Sequence, residues 1–255
     1  MVFSVKGGCH EGALGMPFFL KHRQVELLET MDDPTCNRKS LFQTYDAFQT
    51  VNRTLAGWRS LYTQYIRAWG QSNDTDITLL DIGSGGADVT RDLCRWAYKD
   101  GIKIEATALD LDGRALEYIL DRDGSDDSMV AKRITYRQGH TRELIGESAQ
   151  YDVVITNHVL HHLTIDELHE LCQDTERLLK PNGLAIFNDI HRSDAAYVFF
   201  GMATWGQFPG TFIRQDGLRS IRRSYTVNEL QGILPDCWRV HAKWPYRVVA
   251  TYHKP

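Results

Sequence analysis

The chain lacks a cysteine framework. Its five cysteines, Cys9, Cys36, Cys94, Cys172 and Cys237, are odd in number, widely spaced and free of any C-x-x-C. This excludes a disulfide scaffold or zinc knuckle and fits a reducing cytoplasm. Positive charge is not in excess either: 29 Lys and Arg face 33 Asp and Glu, a formal charge of -4. The basic footprint of a nucleic-acid binder is therefore missing. No internal repeat or low-complexity segment is present. The uncharged stretch 195–213 holds three glycines, a proline, two threonines and a glutamine, so no integral membrane span is expected. Residues 1–20 have no sustained apolar core and read as an extension rather than a signal peptide.

The composition is that of a globular protein: 255 residues, 42% hydrophobic, 24% charged and 11% aromatic. Such a length can bury a large core. Residues 1–72 read as an extension and helical cap. A short amphipathic helix is expected over 24–31, stopped by Asp32-Asp33-Pro34. Helical spacing then runs from Leu41 to Trp69 with a break near Gly57.

From residue 73 to 255 the pattern changes. Apolar runs at 77–82, 102–109, 134–136, 153–156 and 184–187 alternate with helical segments starting near Ala87, Asp112, Thr141 and Thr164. This predicts an α/β, Rossmann-like doubly wound, mostly parallel sheet. An aromatic, helical insertion over 195–235 follows the fifth strand. Its last helix opens on the capping box Thr226-Val227-Asn228-Glu229. Runs 238–244 and 247–252 predict two final strands, bringing the sheet to seven with an antiparallel C-terminal strand.

The sharpest motif is Asp81-Ile82-Gly83-Ser84-Gly85-Gly86-Ala87-Asp88, a strand, a glycine turn and a helix start. Glycines let a ligand approach the backbone, and a helix N-terminus offers free N–H groups. Asp110 closes the second apolar run, where a carboxylate can accept from both ribose hydroxyls of an adenosine cofactor. A dinucleotide fold wants a glycine where Asp88 stands, and an acid there would oppose a pyrophosphate. Asp81 instead suits a cofactor with an amino group.

Asp81 to Gly86 resembles the first motif of the class I S-adenosylmethionine-dependent methyltransferases. The likeness extends over residues 77–190, through Arg137-Gln138-Gly139-His140, the run from Tyr151 to Leu163 and Leu178-Leu179-Lys180-Pro181-Asn182-Gly183. It implies S-adenosylmethionine as cofactor. Gly83, Ser84, Gly85 and Gly86 would line the methionine part near Asp81, and Asp110 would hold the ribose. Gly139 and His140 would stand beside the adenine, where the family more often has an acid, and Leu111 and Asn157 are counted among the cofactor-binding residues.

Methyl transfer to a hydroxyl needs an in-line acceptor and a base. His158 and His191 follow the fourth and fifth strands and are the candidate bases. His161 and His162 read as packing or capping residues. A metal site from His158, His161 and His162 has no evident carboxylate companions, and no metal is expected. The fourth strand is not followed by the N-P-P-Y type of loop used on amino groups. Aromatics abound instead: Tyr45, Phe48, Trp58, Tyr62, Tyr65 and Trp69 in front, and Tyr197, Phe199, Phe200, Trp205, Phe208 and Phe212 in the insertion. Arg214, Arg219, Arg222 and Arg223 read as a solvated face or the partner of an acidic acceptor group. The short runs Met31–Pro34, Phe48–Arg53 and Ser220–Tyr225 resemble bacterial small-molecule, phenolic or polyketide-type methyltransferases. The expected function is O-methylation of a small hydrophobic, phenolic acceptor. The alternatives are a quinone-type C-methyltransferase and a silent cofactor-binding partner protein.

Overall fold

The computed structural model describes residues 17–73, 76–123, 130–147 and 150–255; the first sixteen residues of the expected extension lie outside them. Helices α1 (Arg38–Leu55), α2 (Trp58–Leu61) and α3 (Arg67–Asn73) precede the sheet, the last two joined by a π-helical turn at Tyr62–Ile66. Then come β1 (Ile77–Ile82), α4 (Asp88–Lys99), β2 (Ile104–Asp110), α5 (Gly113–Asp123), β3 (Ile134–Gln138), β4 (Tyr151–Asn157), α6 (Ile165–Leu178) and β5 (Leu179–Ile190). Helices α7 (Asp194–Ala203), α8 (Ile213–Arg223) and α9 (Val227–Ile233) form the insertion, and β6 (Arg239–Lys243) and β7 (Arg247–His253) end the chain.

The sheet order is β3-β2-β1-β4-β5-β7-β6. The first five strands are mutually parallel, and β7 runs antiparallel to both β5 and β6. Side-chain alternation splits the core in two. Leu79, Val153, Ile155, Ile186 and Val249 face the layer of α1, α4 and α5. Leu80, Val154, Ala185, Phe187 and Val248 face α6 and α9. Parallel strands covered on both faces explain the continuous apolar runs.

Local signals account for several boundaries. The Asn37 side chain accepts from Ser40 N at 2.9 Å and starts α1, a cap worth about 1 kcal/mol. The expected break falls at Gly57, whose φ of +69° suits glycine. Thr226 and Glu229 form the expected capping box of α9.

Two expectations fail. Residues 24–31 form turns, not a helix. Their backbone bonds to the insertion instead: Thr30 and Met31 N–H donate to the Asp216 carboxylate at 2.8 and 2.9 Å, and Leu27 O accepts from Arg223 at 2.9 Å. Tertiary bonds thus replace the helical ladder. The segment from Thr141 gives two short 3-10 turns rather than an α-helix; Gly146 weakens the helix there. Among the described residues no helix is long and apolar enough to cross a membrane, and Cys36, Cys94, Cys172 and Cys237 are free thiols.

Candidate active site

The loop after β1 is built from conformations that favour glycine. Gly83 and Gly85 have φ of +70° and +50°. A Cβ on Gly83 would meet Val159 Cγ2 at 2.5 Å, and one on Gly86 would meet Tyr118 Cε1 at 2.9 Å. Asp110, at the end of β2, ties this loop down: Oδ2 accepts from Gly85 N at 2.7 Å and Oδ1 from Asp112 N at 2.9 Å. Burial raises the Asp110 pKa above its ordinary value. Asp81 is fully buried, and Thr90 Oγ1 donates to its Oδ2 at 2.5 Å. Its Oδ1 has no partner among the described residues. Burial pushes its pKa up to about 7.

These groups line one cavity of about 710 Å³. It gathers Asp81, Gly83, Ser84, Gly85, Gly86, Asp110, Leu111, Asn157 and His158 from the sequence-predicted set. Three predicted residues stand outside its lining. His140 caps the 3-10 turn after β3, its Nδ1 accepting from Arg142 N at 3.2 Å. Gly139 packs against Glu143, and its N–H donates to Asp110 O at 2.9 Å. Tyr136 and Arg137 instead reach a small depression beside Asp110. His191 is buried at 3% exposure, and its N–H donates to Tyr246 O at 2.8 Å. Burial, then the Arg192 charge, lower its pKa to about 4. The structure thus brings one of the two candidate bases to the cavity, because β5 carries His191 past the cavity edge.

His158 has a left-handed φ of +62°, uncommon for a residue with a side chain. Asn52 Nδ2 donates to Asp88 Oδ2 at 3.0 Å, so Asn52 Oδ1 faces His158 Nε2 at 3.2 Å. Asn52 Oδ1 accepts only, whereas Arg247 Nη1, 3.3 Å from the same Nε2, donates only, so the two contacts favour opposite tautomers. Burial, and then the Arg247 charge, hold the His158 pKa well below 6.5, so the ring is neutral.

Arg247, the first residue of β7, is 3% exposed and lines the cavity. Its Nε donates to Asn188 Oδ1 at 3.1 Å and its Nη2 to Asn157 Oδ1 at 3.3 Å, while Nη1 lies 3.3 Å from His158 Nε2. Burial lowers its pKa to about 10. No periodicity or motif pointed to Arg247, and Asn52 lay within the Phe48–Arg53 run without a role assigned to it.

His161 and His162 have larger roles than packing. His161 Nδ1 contacts Asp189 Oδ1 at 2.7 Å, and its Nε2 lies 3.2 Å from Glu29 Oε1. Burial opposes its charge, but Asp189 and Glu29 outweigh that and raise its pKa to about 9. Burial likewise opposes the charge of Glu29, which the His161 contact nonetheless draws down to about 2. His162 Nδ1 lies 3.3 Å from Asp32 Oδ2. The carboxylates that the sequence pattern did not reveal come from the N-terminal turns and from β5. Glu29, His161 and His162 place one potential ligand atom each within 4.8 Å of one another.

The aromatics divide. Tyr45, Phe48, Phe199, Phe200 and Phe212 line the cavity. Trp58 and Tyr62 are core, and Trp58 Nε1 donates to Asn157 Oδ1 at 2.9 Å. Trp205 is 74% exposed beneath the Arg214 guanidinium. Arg219 pairs with Asp216 at 3.1 Å, and Arg223 holds the N-terminal turns; these two are tethers rather than a free basic face.

Residues 80–187 match the family described as methyltransferase domain. The chain is 27% identical over 124 residues to a ubiquinone biosynthesis O-methyltransferase of Rickettsia bellii, covering 49% of this chain and 46% of the relative. It is 30% identical over 128 residues to the protein of that name in Maricaulis maris, covering 48% and 43%. The chain thus spans under half the length of these curated relatives. In fold it is similar to an O-methyltransferase family protein from Burkholderia thailandensis, with TM-score 0.61 and 14% identity, covering 88% of this chain and 61% of that one. Human N-acetylserotonin methyltransferase, solved with S-adenosylmethionine, gives TM-score 0.56 at 14% identity, covering 86% and 56%.

Proposed function

We propose that this chain, whose residues 80–187 match the methyltransferase-domain family, methylates a small hydrophobic, phenolic acceptor on oxygen. One observation carries the reading: a single cavity joins the glycine loop and Asp110 to His158 and a cluster of phenylalanines. The names of the curated relatives support oxygen as the acceptor atom.

S-adenosylmethionine fits the residues present. The unpartnered Asp81 Oδ1 on the cavity wall suits an ammonium group, and Gly85, whose Cβ would stand no closer than 3.6 Å to any neighbour, leaves the loop open to a ligand. When bound, this cofactor supplies an electrophilic methyl group on a sulfonium. Asp110 keeps lone pairs for ribose hydroxyls beside those used on Gly85 and Asp112. Phe48, Phe199, Phe200 and Phe212 wall the acceptor side and exclude water. Proximity supplies most of the acceleration. The neutral His158 ring receives the phenolic proton, and Asn52 and Arg247 hold it in place through Nε2.

The test is mass spectrometry of reactions with labelled S-adenosylmethionine and a panel of alkylphenols and resorcinols, with calorimetry of S-adenosylhomocysteine against NAD. An O-methylated product and binding of S-adenosylhomocysteine but not NAD are expected. Binding without any methylated phenol would refute the acceptor class, and NAD binding would refute the cofactor.

A further inference from the structure

Arg247 is a buried cation whose charge no neighbour meets directly. Among the described residues no carboxylate lies within ion-pair distance of its guanidinium; the three groups it touches, Asn188, Asn157 and His158, are all neutral. The nearby Asp189 is already occupied, with His161 N–H at 2.9 Å and Ile190 N–H at 2.6 Å besides the His161 ring.

Of the five N–H groups of the guanidinium, one each on Nε, Nη2 and Nη1 faces Asn188, Asn157 and His158. One N–H on Nη1 and one on Nη2 are left without an acceptor among the described residues, on a side chain that lines the cavity. A buried charged donor with no acceptor is costly, and a planar guanidinium is matched by a planar oxyanion.

We infer that Arg247 is an oxyanion subsite within the cavity, and that the acceptor is bound through an anionic oxygen on an aromatic ring, a carboxylate or a phenolate. This deepens the phenolic reading and rests on it for the ring, but the anion site stands on the Arg247 geometry alone. The subsite also suits the chemistry. A cation beside the acceptor oxygen lowers the phenol's pKa and so matches it to a histidine that is itself a weak base.

Binding, not turnover, tests it. The full chain saturated with S-adenosylhomocysteine is titrated with salicylate and with the uncharged 2-hydroxybenzyl alcohol, and separately with 4-nitrophenol at a pH where the free phenol is protonated. Wild-type protein should bind salicylate at least tenfold more tightly than the alcohol, or bind 4-nitrophenol with the absorption of its phenolate. Salicylate preference points to a carboxylate and the phenolate spectrum to the reacting oxygen. Arg247→Gln should abolish the effect and Arg247→Lys restore part of it, with S-adenosylhomocysteine affinity unchanged. Equal binding of salicylate and the alcohol together with protonated bound nitrophenol would overturn the inference, even if Arg247→Gln fails to fold. So would an anion preference that survives in a folded Arg247→Gln protein. If the preference is present but no phenol is ever methylated, the acceptor reading fails and the subsite stands.

Discussion

Asn52 Oδ1 faces His158 Nε2 at 3.2 Å while the same amide donates to Asp88 at 3.0 Å. Helix α1 thereby positions a ring that follows β4. The arrangement predicts that His158→Ala lowers turnover at pH 7 by about 10²–10⁴-fold, the usual contribution of a general base. Cofactor affinity should stay within a few-fold. Turnover should recover as pH approaches the acceptor's own pKa. Asn52→Leu should cost roughly tenfold, about one hydrogen bond. Because His158 stays neutral to well below pH 6.5, the wild-type rate should show no fall near pH 6.5. An unchanged rate in both variants would remove His158 from the mechanism.

Asp110 joins the end of β2 to the glycine loop. Asp110→Ala should weaken S-adenosylhomocysteine binding by about tenfold or more, the worth of a charge-assisted pair. It should also lower the Tm, since Gly85 and Asp112 N–H lose their acceptor. Calorimetry and thermal melting separate the two effects, and full affinity in a folded variant would reassign the ribose contact.

Phe200 lines the cavity and lies against Gly217, whereas Trp205 is exposed. Phe200→Ala should weaken acceptor binding by about tenfold, consistent with loss of a buried aromatic, at constant cofactor affinity. Trp205→Ala should change neither. Equal effects of the two substitutions would show that the insertion does not border the acceptor.

The His161 pair with Asp189 and Glu29 gives stability a pH window. His161 rises from 6.5 to about 9, so its contribution is full below pH 6.5 and is lost as pH rises through about 9. Glu29 falls from 4.5 to about 2, so its contribution is full above pH 4.5 and is lost toward pH 2. The stabilisation from this pair, read as the difference between wild type and His161→Gln, should therefore be greatest at pH 4.5–6.5. There the substitution should cost about 3–5 kcal/mol, the cost of breaking a buried pair, and it should flatten the decline above pH 6.5. A variant that keeps the wild-type slope would place the alkaline decline elsewhere.

Residues near in sequence determined much of this protein. Strand runs, the Gly57 break, the Thr226 capping box and the Asp81–Gly86 loop express local periodicity and backbone conformation, which adjacent residues are enough to set. The glycine loop and Asp110 were legible for the same reason, since they occur within two consecutive β-α units. What else lines their cavity was decided only by the tertiary structure. Residues 24–31 gave up helix for bonds to Asp216 and Arg223. Asn52, His158 and Arg247, and likewise Glu29, His161 and Asp189, come from distant parts of the chain. They meet because β4, β5 and β7 are neighbours in the sheet and the N-terminal segment folds across their ends. Contacts between such remote residues leave no periodic trace, because burial and charge pairing depend on which strands become adjacent rather than on the spacing along any one of them.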